Sequence, residues 1–430
     1  MESFVPLLIT GIAGVPGYNA LHYFRAKYPG QVFGIRQEDN LRLTGPGVVA
    51  CNAEDHDGLA RLFDRQQFAA VLNCAGNCAL RACELDPALA WRINVEGVQN
   101  LLSQTVPRGL PLVHLSVDMV FSGERDGGYV ETDPTDPVTV YGKTMAVAEQ
   151  AVLEADPSAC VLRISLPMGT SSSGHAGAID WITSRFKKGR PATLYFDEIR
   201  TPTYTDCMNA LYETVLARGV AGAERRACEM GTESERRTVL EETWSRHNSS
   251  TFRNLGAVPQ PFPQTRNTHD LSESRDARHT ECAGYIEPPT ADSAALSGLY
   301  HAGGPRRLTL YQIAQVINRV GGYDPCLLHG CLRREAGPIP PRAGNVSMDC
   351  TKLIAALGYN PFDPWPLYDD LVPGDLDWHY RRPTDDPEPG SAGRLYRLLC
   401  RNPARRHRGD DGDAGRAERR YAIAAARRIG

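Results

Sequence analysis

No apolar run in this sequence approaches the ~20 residues that a membrane-spanning helix needs, which excludes a membrane bundle. The first ten residues have neither a basic start nor a small-residue cleavage site. They read as a first strand rather than a secretory signal, and a cytoplasmic location is expected. Neither sign of charge dominates: 47 Lys and Arg stand against 51 Asp and Glu, a net charge of -4. That balance gives no general attraction to nucleic acid or anionic lipid. The 12 cysteines are too scattered over 430 residues for a small disulfide scaffold. None forms the Cys-x-x-Cys pair of a zinc ribbon, so no metal site is expected, and they read as small buried residues. No internal repeat is found. With 42% hydrophobic and 23% charged residues, the composition is that of a globular protein of more than one average domain and fewer than three.

Up to about residue 222 the chain alternates strand-like and helix-like segments. Strands are predicted at 5–9, 31–35, 69–73, 112–115 and 159–164, as short apolar runs suited to burial on both faces. Helical patterns lie at 57–68, 87–104 and 143–155. The alternation argues an α/β fold with a Rossmann-type, doubly wound parallel sheet. Residues 1–165 read as the dinucleotide-binding domain, and 166–222 with 297–383 as a smaller α/β substrate lobe. Residues 223–296 are polar and aperiodic, expected to be a disordered insertion with one helix near 233–246. Leu310–Val320 has the pattern of an amphipathic helix. The tail from 384 to 430 is expected to be disordered; from Arg394 onward it holds eleven Arg against four acids, without the interleaved aromatics that stack on bases.

The strongest local signal is Thr10-Gly11-Ile12-Ala13-Gly14-Val15-Pro16-Gly17, between a predicted strand and a predicted helix. In that context Gly11 allows a tight turn, Gly14 lets a pyrophosphate approach the backbone, and Gly17 permits close helix–strand packing. The helix start offers amides and a positive dipole end to phosphate. After the second strand stands Arg36, where an acid would bind the adenosine ribose and favour NAD. A cation there suits a 2′-phosphate and makes NADP the preferred cofactor over NAD. Asn52 and Ala53 are candidates for adenine contact, and Asn73-Cys74-Ala75-Gly76 for passage beneath the cofactor.

These motifs, together with Ser116-Val117-Asp118-Met119-Val120-Phe121-Ser122-Gly123, Tyr141-Gly142-Lys143, Arg200-Thr201-Pro202-Thr203-Tyr204 and Pro341-Arg342-Ala343-Gly344-Asn345-Val346, resemble the extended short-chain dehydrogenase/reductase family. Within it they look most like the dTDP-4-dehydrorhamnose reductase branch, over most of 5–222 and 298–378. The resemblance implies an NAD(P)-dependent oxidoreductase of the EC 1.1.1 type that reduces a keto group on a nucleotide-linked sugar. It implies that a Tyr supplies the proton, a Lys four residues on lowers the Tyr pKa, and a Ser or Thr binds the carbonyl oxygen. Arg200 and Arg342 stand where the family's loops hold the sugar nucleotide.

The chain departs from that pattern twice. Tyr141 is present, but the residue four on is Met145, and the hydroxyl position is Val117. A phenol with an ordinary pKa near ~10 has then lost the cation that lets it cycle a proton at neutral pH. Ser116, Asp118 and Lys143 are candidate substitutes, although Lys143 is only two residues from Tyr141 and a regular helix turns it elsewhere. His114 is a further candidate. The first function expected is a sugar-nucleotide reductase with this degenerate triad. A binding or regulatory protein that keeps the cleft without hydride transfer is the alternative, and an epimerase or dehydratase a weaker one. A nucleotide sugar is the expected partner, with no membrane or specific nucleic acid, and a homodimer is left open.

Overall fold

A computed structural model describes residues 4–174, 176–229, 295–338, 340–380 and 399. The helix expected near 233–246 lies outside them, as does most of the disorder expected at 223–296 and 384–430.

Seven parallel strands form the main sheet: β1 (Leu7–Ile9), β2 (Val32–Arg36), β3 (Val48–Ala50), β4 (Ala70–Asn73), β5 (Leu112–Val117) and β6 (Cys160–Ile164) from the first part, and β11 (Gly298–Ala302) from beyond the insertion. Their spatial order is β11-β6-β5-β4-β1-β2-β3. The five predicted strands occur within two residues of their expected ends. The strands that carry the centre of the sheet, β1 and β4, are buried throughout.

Helices cover both faces. α1 (Val15–Lys27), α8 (Thr205–Glu229) and α10 (Thr351–Leu357) enclose one core with Leu7, Ile9, Phe24, Tyr212 and Leu353. α2 (His56–Arg65), α5 (Gly97–Thr105) and α6 (Val140–Ala155) enclose the other, with Leu8, Leu59, Leu102 and Val152. Between α2 and α5 lie α3 (Leu80–Leu85) and α4 (Pro87–Trp91). The single helix expected at 87–104 is interrupted by a π turn at Arg92–Glu96.

The smaller lobe contains β7 (Pro167–Met168), α7 (Ala178–Lys187), β8 (Ala192–Tyr195), β9 (Ile199–Arg200), β10 (Thr203–Tyr204), β12 (Leu308–Thr309), α9 (Leu310–Val320) and β13 (Leu328–Cys331). Its core gathers Ile179, Phe186, Ile313, Ile317 and Trp365. α9 spans the predicted residues, and its start is fixed by a capping box between Thr309 and Gln312.

Two boundaries differ from the sequence expectation. α8 continues past residue 222 to Glu229, and β11 pairs with β6 rather than joining the smaller lobe. The first domain therefore takes its last helix and its edge strand from segments expected to serve the substrate lobe. β11 reads as a partner for β6 only in three dimensions, because a long insertion separates it from the rest of the sheet.

Candidate functional site

Chain direction across the sheet reverses between β1 and β4: β2 and β3 follow on one side, β5 and β6 on the other. A crevice opens outside the carboxyl ends of the strands at such a switch point, and ligands of open α/β sheets bind there. The glycine loop leaves β1 at this place, and Asn73–Gly76 leaves β4 beside it.

The loop's glycines have distinct reasons. Gly11 has φ +63°, and a Cβ there would lie 2.3 Å from the Cys74 carbonyl oxygen; a Cβ on Gly17 would lie 2.4 Å from Gly11 O. Gly14 is different: its Cβ would meet only Gly11 O, at 3.6 Å. The cradle above Gly14, at the N-terminus of α1, is therefore open and fits a diphosphate. Ile12 is fully buried and packs toward Gly34, so it anchors the loop from below. The Ala13 carbonyl accepts from Ser172. Pro16 lies in the first turn of α1, a position that suits its fixed φ but removes one amide donor.

A polar ladder braces the crevice floor. Thr10 Oγ1 donates to Asn73 Oδ1 at 2.5 Å and accepts from the Ala75 amide at 3.2 Å. Asn73 Nδ2 meets His114 Nδ1 at 2.8 Å. Burial lowers the His114 pKa to about 4, so the ring is neutral at pH 7. Thr10 and Asn73 thus hold strand ends together rather than presenting free groups. Cys74 and Ala75 are half-buried above them, and Gly76 is exposed.

At the end of β2, Arg36 is half-buried, and its guanidinium donates to the carbonyls of Gln37 and Glu38 at 2.8 and 2.9 Å. Asn52 Oδ1 accepts from the Glu38 amide at 3.0 Å, joining the loops after β2 and β3. The Ala53 carbonyl accepts from Asn100 Nδ2 at 3.2 Å. These residues share one corner, beyond the ends of β2 and β3.

Tyr141 lies in the first turn of α6, whose start is capped by Thr139 accepting from the Gly142 amide at 2.9 Å. Tyr141 and Met145 belong to one apolar cluster with Cys83, Met119 and Phe121; they are 8% and 3% exposed. Burial holds the phenol well above its usual pKa, and Cys78, Asp118 and Cys83 all oppose its ionisation further.

The proposed substitutes do not fill the gap. Ser116 is fully buried, whereas Val117 is half-buried, so it is the valine that borders the crevice. Lys143 lines a separate outer cleft of about 310 Å³ with Pro87, Trp91, Pro137 and Gln150, as its helical spacing from Tyr141 dictates. Asp118 is buried; it accepts from Ser165 Oγ at 2.7 Å and lies 3.6 Å from Arg200 Nε.

Arg200 also departs from expectation. It is 4% exposed, and its guanidinium is taken by Glu198 at 2.7 Å as well as by Asp118. Two buried carboxylates draw it inward, away from an open diphosphate contact. Arg342 is more accessible: its guanidinium lies 4.6 Å from the Tyr195 ring centroid and 3.9 Å from Glu198 Oε2. Of the cysteines, Cys78 and Cys326 are exposed, contrary to the expectation of burial; both stand in short connecting segments rather than core strands.

Sequence reasoning missed Asn94. It sits in the π turn, accepts from the Asn77 amide at 2.6 Å and donates to Thr144 Oγ1 at 2.8 Å. Thr144 Oγ1 in turn donates to the Tyr141 carbonyl at 2.9 Å. Asn94 therefore ties the turn after β4 to the helical turn that carries Tyr141. No spacing marked it, because a π turn is invisible to a 3.6-residue pattern.

The RmlD substrate binding domain family matches residues 7–232, more than half of the chain. A Haloferax volcanii protein named "Probable low-salt glycan biosynthesis reductase Agl14" is 31% identical over 170 residues, 39% of this chain and 57% of the relative. The dTDP-4-dehydrorhamnose reductase of Aggregatibacter actinomycetemcomitans is 32% identical over 150 residues, 35% of this chain and 50% of that protein. The chain thus spans about half the length of these curated relatives. Among solved structures, a Bacillus anthracis dTDP-4-dehydrorhamnose reductase in complex with NADP has the same fold, with TM-score 0.57 at 16% identity, covering 84% of this chain and 95% of that one.

Proposed function

This chain belongs to the RmlD substrate binding domain family, and on that footing we propose that it is an NAD(P)-dependent reductase of a nucleotide-linked keto sugar, with NADP preferred. The observation that carries the reading is the open cradle at Gly14, at the sheet's switch point, in a chain whose relatives are named reductases. In this reading the α1 amides and dipole hold the diphosphate, and Arg36 holds a 2′-phosphate. Asn73 to Gly76 pass beneath the nicotinamide ribose, and Arg342 borders the sugar nucleotide. The bound dinucleotide supplies the hydride.

The chain's own part is to orient the keto group and supply a proton. Tyr141 holds its proton at pH 7 and donates it to the carbonyl oxygen. Without a lysine at position 145, the resulting phenolate has no adjacent cation among the described residues, so its formation is costly and turnover is slow. Loss of NADPH absorbance in the presence of a dTDP-linked 4-keto sugar tests the reading. Tight NADPH binding with no oxidation of any keto-sugar nucleotide overturns it.

The same observation at Met145 favours a second reading, in which the chain binds dinucleotide and nucleotide sugar without hydride transfer. That outcome of the assay selects it.

A further inference from the structure

Resting on the dinucleotide reading above, we propose that Ser172 is a further diphosphate-binding residue, whose hydroxyl replaces the donor that Pro16 withholds from the helix start. The first turn of α1 is short of amides. The Gly14 N–H is spent on Gly11 O at 3.1 Å, Pro16 has none, and the Tyr18 N–H closes the first helical bond onto Gly14 O at 2.9 Å. Val15 and Gly17 carry the remaining amides of that turn. A non-proline residue at position 16 would offer one more.

The segment that leaves β7 lies directly against this turn. Asn19 Nδ2 donates to the Thr170 carbonyl and to the Val15 carbonyl, each at 2.8 Å. Ser172 donates to the Ala13 carbonyl twice, through its amide at 3.3 Å and its hydroxyl at 3.1 Å. Ser171 is fixed from the other side: its amide and its hydroxyl donate to Asp180 Oδ2 at 2.7 and 2.8 Å. Ser172 is thereby held between α1 and α7, half-buried at the rim of the glycine loop.

The doubled bond to Ala13 is what lets the hydroxyl change partner. When it rotates toward a phosphate oxygen, the Ser172 amide still satisfies the Ala13 carbonyl, so no buried acceptor is stranded. The new bond is charge-assisted, to an anion that the positive end of the helix itself favours.

Calorimetric titration with NADP and NAD tests this. Ser172→Ala weakens binding of the full dinucleotide about tenfold, the size of one charge-assisted hydrogen bond. Ser172→Thr, which keeps the hydroxyl, restores it. Adenosine 2′-phosphate, which lacks the diphosphate bridge, binds wild type and Ser172→Ala alike. In a Pro16→Ala background, where the amide is returned, the Ser172→Ala penalty shrinks to about twofold or less, the non-additivity of two donors serving one group. Equal dinucleotide affinity of wild type and Ser172→Ala overturns the role of Ser172 and leaves the dinucleotide reading intact. An equal loss for adenosine 2′-phosphate also overturns it, as general damage to the site. A wild-type chain that binds neither coenzyme overturns both.

Discussion

Arg200 sets its Nε 3.6 Å from Asp118 Oδ2, and both side chains are buried where the smaller lobe meets the end of β5. Glu198 takes the other side of the guanidinium. One cation thus serves two carboxylates withdrawn from water. Burial raises the pKa of both acids, and Arg200 opposes that rise. The group expected to grip substrate is a fastener between the lobes.

Arg200→Ala removes the shared cation, leaving buried Asp118 with the Ser165 hydroxyl and Glu198 with the more distant Arg342. The expected loss is about 3–5 kcal/mol of unfolding free energy, read from the urea midpoint near neutral pH. An acid whose folded pKa is raised contributes stability that is complete below its unfolded pKa and fades as pH rises. The deficit of the variant therefore shrinks on acidification, as protons neutralise the two acids. A deficit independent of pH would contradict this assignment.

His114 gives the opposite pH dependence. Its folded pKa of about 4 lies below the ordinary 6.5, because the ring is wholly buried. A depressed histidine pKa contributes stability that is present above pH 6.5 and is lost as pH falls toward 4. The loss amounts to about 3 kcal/mol across that window. In His114→Gln, urea midpoints between pH 7 and 4 should fall less steeply than in the wild type.

The glycine loop separates fold from binding. At Gly11 a methyl group meets the Cys74 carbonyl in a left-handed backbone, so Gly11→Ala costs about 2 kcal/mol or more. At Gly14 the methyl group meets only ordinary contact, so the melting temperature of Gly14→Ala stays at the wild-type value. Dinucleotide affinity falls about tenfold or more in the same variant, because the methyl fills the space a phosphate needs. Calorimetry alongside thermal melting reads both.

Tyr141 and Met145 test the proton donor. Tyr141→Phe lowers the rate of keto-sugar reduction about a hundredfold, a usual share for general acid help. Met145→Lys brings a cation into the phenol's cluster, lowers its pKa and raises kcat. A pH–rate profile whose alkaline limb moves to lower pH in Met145→Lys is the signature.

Much of the first domain, and one helix of the smaller lobe, could be read from residue pattern. Short doubly buried strands, a glycine turn between strand and helix, and the capped helix at Leu310–Val320 are local features, and local chemistry writes them into sequence. The edge strand Gly298–Ala302 could not be placed in the same way, since its partner Cys160–Ile164 lies far back along the chain. Nor could Asn94, whose role depends on a π turn and on Asn77 and Thr144 meeting it.

The candidate site divides along the same line. That Val117 and Met145 replace a hydroxyl and an ammonium is a matter of residue identity, fixed before folding. Where Arg200 points, which face carries Lys143 and what touches Ala13 were decided by tertiary packing. A buried charge turns toward whatever opposite charge the fold brings near, and a hydroxyl toward the nearest unsatisfied carbonyl. Such partners are set by distance in space, which spacing along the chain does not encode.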